Sequence, residues 1–204
     1  MNSKFFLLPP EKQRRILSAA YRVFSQNSYR RAPMSEIAAE AGISKALLFH
    51  YFTNKKELYL YLWEHAVDMT RQTTGEYRVL ETGDLFEMLR RSLAAKCALM
   101  RRYPHVCAFT LNAYYESQPE IRQAVQASYA AASQDSEQKV FARLDSAAFR
   151  ENANQRKLYE EILYAMEGYM LGVYRTGQID PDKIEQECGE RIVFWETIYR
   201  KQED

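Results

Sequence analysis

Residues 34–58 read MSEIAAEAGISKALLFHYFTNKKEL. Met34, Ile37, Ala38 and Ala41 fall on one side of a short helix that ends at Gly42. Glycine there allows the left-handed backbone by which a chain turns sharply after a helix. Ala38 is small enough to let two helices cross closely. Ser44 is a natural N-cap for a second short helix from Lys45 to Phe52, with Leu48 and Phe52 four apart on one face and Ile43 able to join them. The opposite face shows Lys45, Ala46, Leu47, Phe49 and His50. Helix, four-residue turn, helix is the helix-turn-helix pattern, whose second helix enters a DNA major groove N-terminus first. A helical hairpin packed on a core has the same local pattern, so the surrounding sequence has to separate the two.

Working outward, glycine and proline are scarce, at seven and six of 204 residues, and the prolines stand where helices can begin: Pro9-Pro10, Pro33, Pro104, Pro119 and Pro181. Asp180-Pro181, just past Gly177, is the clearest such start. Between these marks the apolar spacing is helical, as in Ile16, Ala20, Val23 and Phe24, in Leu58, Leu62, Ala66 and Met69, and in Leu85, Leu89, Leu93 and Cys97. The pattern predicts an all-α protein of about nine helices, near 10–27, 34–41, 45–51, 55–74, 84–101, 104–115, 119–147, 154–176 and 181–201. Two domains are expected: a three-helix helix-turn-helix domain over 1–55 and a helical ligand-binding and dimerisation domain over 56–204.

Charge is divided between them. Residues 1–65 hold ten basic and five acidic side chains, a net +5, which leaves −4 on the remainder of a chain whose total is +1. A basic N-terminal third suits a polyanion partner. The 47% apolar content is that of a folded chain, and no apolar run approaches the ~20 residues of a membrane span. The apolar patch Phe5, Phe6, Leu7 and Leu8 lacks the length and cleavage site of a signal peptide, so a cytoplasmic protein without membrane contact is expected. Cys97, Cys107 and Cys188 are odd in number and widely spread, which suits packed thiols better than disulfides or a zinc site. Nucleophile elbow, P-loop, dinucleotide fingerprint and metal-ligand cluster are all missing, so neither an enzyme nor a bound cofactor is expected.

The segment AGISKALLFHYFTNKKEL, together with the amphipathic ILSAAYRVFSQNSYRR before it, resembles the signature of the TetR family of bacterial transcriptional regulators, in register from about Glu11 to Glu64. The resemblance implies base contacts by Lys45 and Ala46, phosphate contacts by His50 and Tyr51, and a phosphate-binding Lys55 assisted by a helix N-terminus. The DNA-facing set that follows is Ser35, Ser44, Lys45, Ala46, Leu47, Phe49, His50, Tyr51 and Lys55. Three positions depart from the family pattern. Phe49 stands where tyrosine is usual, Leu47 where a polar residue often stands, and Ala32-Pro33 replaces a Thr/Ser pair, a loss that Ser35 could partly offset.

Symmetry is expected as well, because helix-turn-helix proteins usually read two half-sites as dimers. The stretch 158–174 is the most apolar in the chain, and Ala165, Gly168 and Gly172 would let helices approach closely. The expected interface is Tyr159, Ile162, Met166, Gly168 and Met170 with Ile192 and Trp195 of the last helix, in a four-helix arrangement as in the family. The expected ligand set is Tyr103, His105, Phe109, Asn112, Tyr164 and Glu167. Glu167 has apolar or aromatic neighbours at three and four residues' spacing, so it either faces a cationic or hydrogen-bonding ligand or sits in a salt bridge. The functional expectation is a ligand-responsive, homodimeric repressor released from a palindromic operator by a small hydrophobic or aromatic ligand. A DNA-binding protein of the same fold acting in chromosome organisation or protein control is the alternative, and an enzyme a more distant one.

Overall fold

The computed structural model describes residues 3–201. Among these lie nine α-helices: α1 (Pro10–Gln26), α2 (Met34–Glu40), α3 (Lys45–Tyr51), α4 (Lys55–Glu76), α5 (Leu85–Arg102), α6 (Pro104–Tyr114), α7 (Pro119–Phe141), α8 (Gln155–Thr176) and α9 (Pro181–Tyr199). Short 3-10 turns precede α1 (Ser3–Phe5) and follow α7 (Ser146–Ala148). No strand is present among the described residues. The helix ends obey local chemistry. Asn154 and Asp180 accept amide hydrogen bonds at the starts of α8 and α9, and Gly177 closes α8 with φ +67°.

Only the end of α7 differs much from expectation, stopping at Phe141 rather than at 147. Beyond it the Asp145 amide donates to Gly83 O at 2.9 Å, and the Asp145 carboxylate accepts from Ala147 N–H. That capping carboxylate starts a new 3-10 turn, so the helix cannot continue through it.

The chain packs as two compact units. The first runs to Met69 and takes in Tyr103–Ser133, and the second holds Thr70–Arg102 and the residues from Gln134 onward. As packing, the first unit thus reaches beyond the expected boundary at residue 55. Its core is aromatic at the centre: Phe109 of α6 is fully buried, with ring centroids 4.8 Å from Tyr59, 5.3 Å from Tyr21 and 6.2 Å from Phe24. The Tyr21 hydroxyl, buried among them, donates to Leu62 O at 2.7 Å and stands 3.0 Å from His65 Nδ1.

In the second unit Leu85, Phe86, Met88, Leu158, Tyr159, Ile162 and Ile192 form one core, and Cys97, Ile184 and Cys188 a smaller one. Burial pushes the Cys97 thiol up to about 11, which keeps it protonated and unreactive near neutrality.

The C-terminal end of α9 is tied down by charge. Arg200 bonds Asp84 and Glu196, Arg90 bonds the other oxygen of Glu196 at 2.7 Å, and Glu87 takes Arg90 and Arg91. Burial pushes the Asp84 carboxyl up, but the Arg200 hydrogen bond and the amides of Glu87 and Phe86 outweigh it and hold the group below its usual value. Arg90 chiefly lowers Glu196, and Arg91 chiefly lowers Glu87. Carboxyls depressed in the folded state stabilise it above their unfolded pKa, near 4, and lose that contribution as pH falls through the lower folded values. Unfolding free energy, measured by urea titration, should therefore be flat above about pH 5 and fall below about pH 4. Arg200→Ala should shallow that fall and cost about 1 kcal/mol or less at pH 7, because the partners are partly exposed.

Candidate nucleic-acid interface

The turn between α2 and α3 is built from backbone up. Gly42 has φ +63°, its N–H donates to Ala39 O, and the Ile43 N–H donates to Ala38 O, both at 3.0 Å. This pair of bonds is a Schellman motif, which satisfies helix-end carbonyls only if one residue takes the left-handed conformation. The next carbonyl, Ala41 O, accepts from Arg15 Nε of α1 at 2.8 Å, and the guanidinium lies against Gly42. Arg15 is therefore structural, a role that counting it as surface charge does not suggest. Ser44 then caps α3, its Oγ accepting from Leu47 N–H at 3.1 Å.

On α3, Leu48 and Tyr51 point inward, with Phe52 buried just beyond the helix. Phe5 closes over them fully buried, its ring 5.0 Å from Phe52, 5.7 Å from Tyr61 and 6.2 Å from Tyr51. Sequence reading missed this contact, since Phe5 is separated from its partners by more than forty residues.

Lys45, Ala46, Phe49 and His50 face outward, and Leu47 is half-buried. Lys45 Nζ lies 5.9 Å from the Phe49 ring centroid, an i, i+4 cation–π pair. Ser44 and, at the start of α2, Ser35 are also exposed. Tyr51 is different: at 5% exposed it is a core side chain. Lys55 too is committed elsewhere. Its ammonium donates to Tyr29 O at 2.9 Å and Arg30 O at 3.1 Å, lies over the Tyr29 ring, and has its pKa lowered by burial. The α1–α2 loop is gripped from its other side by Glu116, whose carboxylate accepts from Tyr29 N–H at 2.9 Å and from the amides of Ser117 and Gln118. Glu116 is buried and so fully engaged that its charge needs no further partner.

The expected ligand residues divide between the two units, with Tyr103, His105, Phe109 and Asn112 in the first and Tyr164 and Glu167 in the second. Phe109 is core, Asn112 Nδ2 donates to Ser25 O at 2.8 Å, and His105 Nδ1 stands 3.3 Å from Ser25 Oγ, so all three serve the packing of α6 on α1. Tyr103 is half-buried at the edge of that core. In the second unit Tyr164 is 70% exposed and Glu167 half-buried. Among the expected interface residues, Tyr159, Ile162 and Ile192 are buried within their own unit and Met166, Met170 and Trp195 are half-buried. Gly168 alone of the set is exposed, with nothing within 4 Å of a built Cβ. The apolar side chains that α8 and α9 leave outside are Leu163, Tyr164, Val193, Phe194 and Ile198. Among the described residues no group of three or more His, Cys, Asp or Glu is placed to hold a metal ion, and no helix is long and apolar enough to cross a membrane.

A family model described as bacterial regulatory proteins, tetR family, matches residues 16–62, which run from α1 into α4. The HTH-type transcriptional activator FasR of Mycolicibacterium smegmatis is 44% identical over 62 residues, 30% of this chain and 28% of that protein. The HTH-type transcriptional regulator AcrR of Shigella flexneri is 30% identical over 83 residues, 41% of this chain and 39% of its own length. The chain therefore matches well under half the length of either relative.

The architecture as a whole is shared with solved structures. The fatty acid degradation regulator FadR from Bacillus halodurans superposes with a TM-score of 0.71 at 16% identity, covering 91% of this chain and 95% of that one. A TetR family transcriptional regulator from Chloroflexus aurantiacus does so with a TM-score of 0.62 at 22% identity, covering 98% and 99%. Residues 16–62 thus match the helix-turn-helix domain of the tetR family of bacterial regulatory proteins, and the all-helical fold is one that solved regulators share.

Proposed function

We propose that the protein is a sequence-specific DNA-binding transcriptional regulator that acts as a homodimer on a palindromic operator, and that a small hydrophobic or aromatic effector releases it. The observation that carries the reading is the outward face of α3. It holds a lysine, a histidine and two apolar side chains with no acidic residue, in a basic N-terminal segment and on a turn stiffened by the Gly42 cap and Arg15. A rigid, non-acidic helix is what a negatively charged major groove accepts.

In this reading Lys45 and Ala46 meet base edges, and Ser35, Ser44 and His50 meet phosphates or sugars. Tyr51 takes no part in contact, because it is buried behind the helix. Lys55 has two of its three donors on loop carbonyls, so it offers a phosphate one at most.

Dimerisation is assigned to the outer faces of α8 and α9, which carry Leu163, Tyr164, Val193, Phe194 and Ile198. This shifts the expected interface around both helices by about one residue. The effector has thinner support, namely the aromatic residues of α6 and α7. Within the first unit Phe109, His105 and Asn112 are occupied in packing.

Selection of binding sites from random duplex DNA at physiological salt tests the reading. Enrichment of one palindrome is expected, with binding that weakens as salt rises. Lys45→Ala should cost about 1–3 kcal/mol, roughly 5- to 150-fold in Kd, and relax the choice of base beneath it. Sequence-tolerant binding would instead favour a role in chromosome organisation, and absence of binding would overturn the reading.

A further inference from the structure

Helix α3 is KALLFHY, and its composition limits what it can read. It contains no Asn or Gln, which would pair with adenine N6 and N7, and no Asp or Glu, which would accept from cytosine N4. What its outward face retains is one ammonium, one imidazole and two apolar groups, Ala46 and Phe49. The only apolar feature a base pair shows in the major groove is the 5-methyl group of thymine.

Phe49 is 36% exposed on a helix whose other large apolar side chains turn inward or are half-buried. Lacking a hydroxyl, it has nothing to donate to a phosphate. Its ring edge can bury a methyl, and its face holds the Lys45 ammonium 5.9 Å from the centroid. The cation and the ring are therefore presented together, one suited to guanine O6 and N7 and the other to a neighbouring methyl. Ala46 adds a second methyl-sized contact beside Lys45.

We propose that α3 specifies its half-site through thymine 5-methyl groups packed against Phe49 and Ala46, next to a guanine held by Lys45. The proposal rests on the DNA-binding reading above and names the base feature that reading leaves open.

Replacing thymidine by deoxyuridine removes the methyl and leaves every hydrogen bond in place. The probe is the duplex enriched from the random pool, with each thymidine of the half-site replaced in turn and Kd measured by fluorescence anisotropy. One or two positions should weaken wild-type binding about 4-fold each, the value of one buried methyl, and the remaining thymidines should be silent. Changing both symmetry-related half-sites should multiply to about 16-fold. The penalty should shrink towards one in whichever of Phe49→Ala or Ala46→Gly removes the protein side of the contact. Phe49 is exposed, so its loss should leave the fold intact, and the wild-type comparison requires no variant at all. Equal affinity for thymidine and deoxyuridine at every position, with the palindrome still selected, would overturn the inference and spare the regulator reading. A deoxyuridine penalty that persists undiminished in both variants would overturn it too, placing the effect in DNA shape. Failure to select any sequence would remove both.

Discussion

Replacing Phe109 with alanine should lower the unfolding free energy by about 3–5 kcal/mol, the range for truncating a buried aromatic ring. The ring has no exposed surface and touches α1 through Tyr21 and Phe24 and α4 through Tyr59. Its loss would open a cavity where three helices meet, and none of the ring partners could collapse into it without abandoning another contact. Domains of this kind are stable by only about 5–15 kcal/mol, so the variant should approach spontaneous unfolding. At roughly 2–4 °C per kcal/mol for a chain of this size, the midpoint in a thermal melt should fall by about 6–20 °C. Tyr164→Ala, at a position 70% exposed, should move stability by less than about 0.5 kcal/mol in the isolated subunit. From sequence, Phe109 and Tyr164 fall in the same expected ligand set. A Phe109→Ala protein of unchanged stability would restore Phe109 to the wall of an open pocket.

That contrast shows where sequence legibility stops. The helix-turn-helix was readable because its determinants are local: Gly42 has to adopt a positive φ, Ser44 caps the helix that follows it, and Leu48 and Phe52 repeat at helical spacing. Helix starts at prolines and capping carboxylates were equally local, which is why most ends fell within two residues of expectation. The end of α7 was missed because the Asp145 amide is held by Gly83, sixty residues away, and no spacing rule reports such a bond. The closure of the domain by Phe5 was hidden for the same reason.

Faces were harder still in α8. Leu158, Tyr159, Ile162, Leu163 and Tyr164 put apolar groups nearly all round it, so periodicity cannot say which side is core. Structure resolves it by burying Tyr159 and Ile162 and leaving Leu163 and Tyr164 outside. His105 and Asn112 look like pocket polars in sequence because an unpaired polar side chain and one bonded to a distant helix are written identically.

On α9 the same ambiguity becomes an experiment, because adjacent residues should fail in different ways. Ile192 is 1% exposed inside the second unit, whereas Phe194 is 61% exposed beside Val193 and Ile198. If the outer face joins two copies, Phe194→Glu places a carboxylate in it twice, since an isologous interface repeats every substitution. Each copy forfeits an aromatic anchor worth about 2 kcal/mol and strands a charge against apolar surface, near Glu190 one turn away on the same helix. The combined cost should be at least about 4 kcal/mol, roughly a thousandfold in the dimer dissociation constant. Sedimentation equilibrium should show dimers for the wild type and folded monomers for Phe194→Glu, with helical content intact. Site-selected DNA should then be bound weakly or not at all, because one recognition helix cannot span two half-sites. Ile192→Glu should behave otherwise: a charge in the core of the second unit should unfold it, and helical content should fall along with dimerisation. A Phe194→Glu protein that remains dimeric would place the interface on another surface and return this apolar face to the solvent.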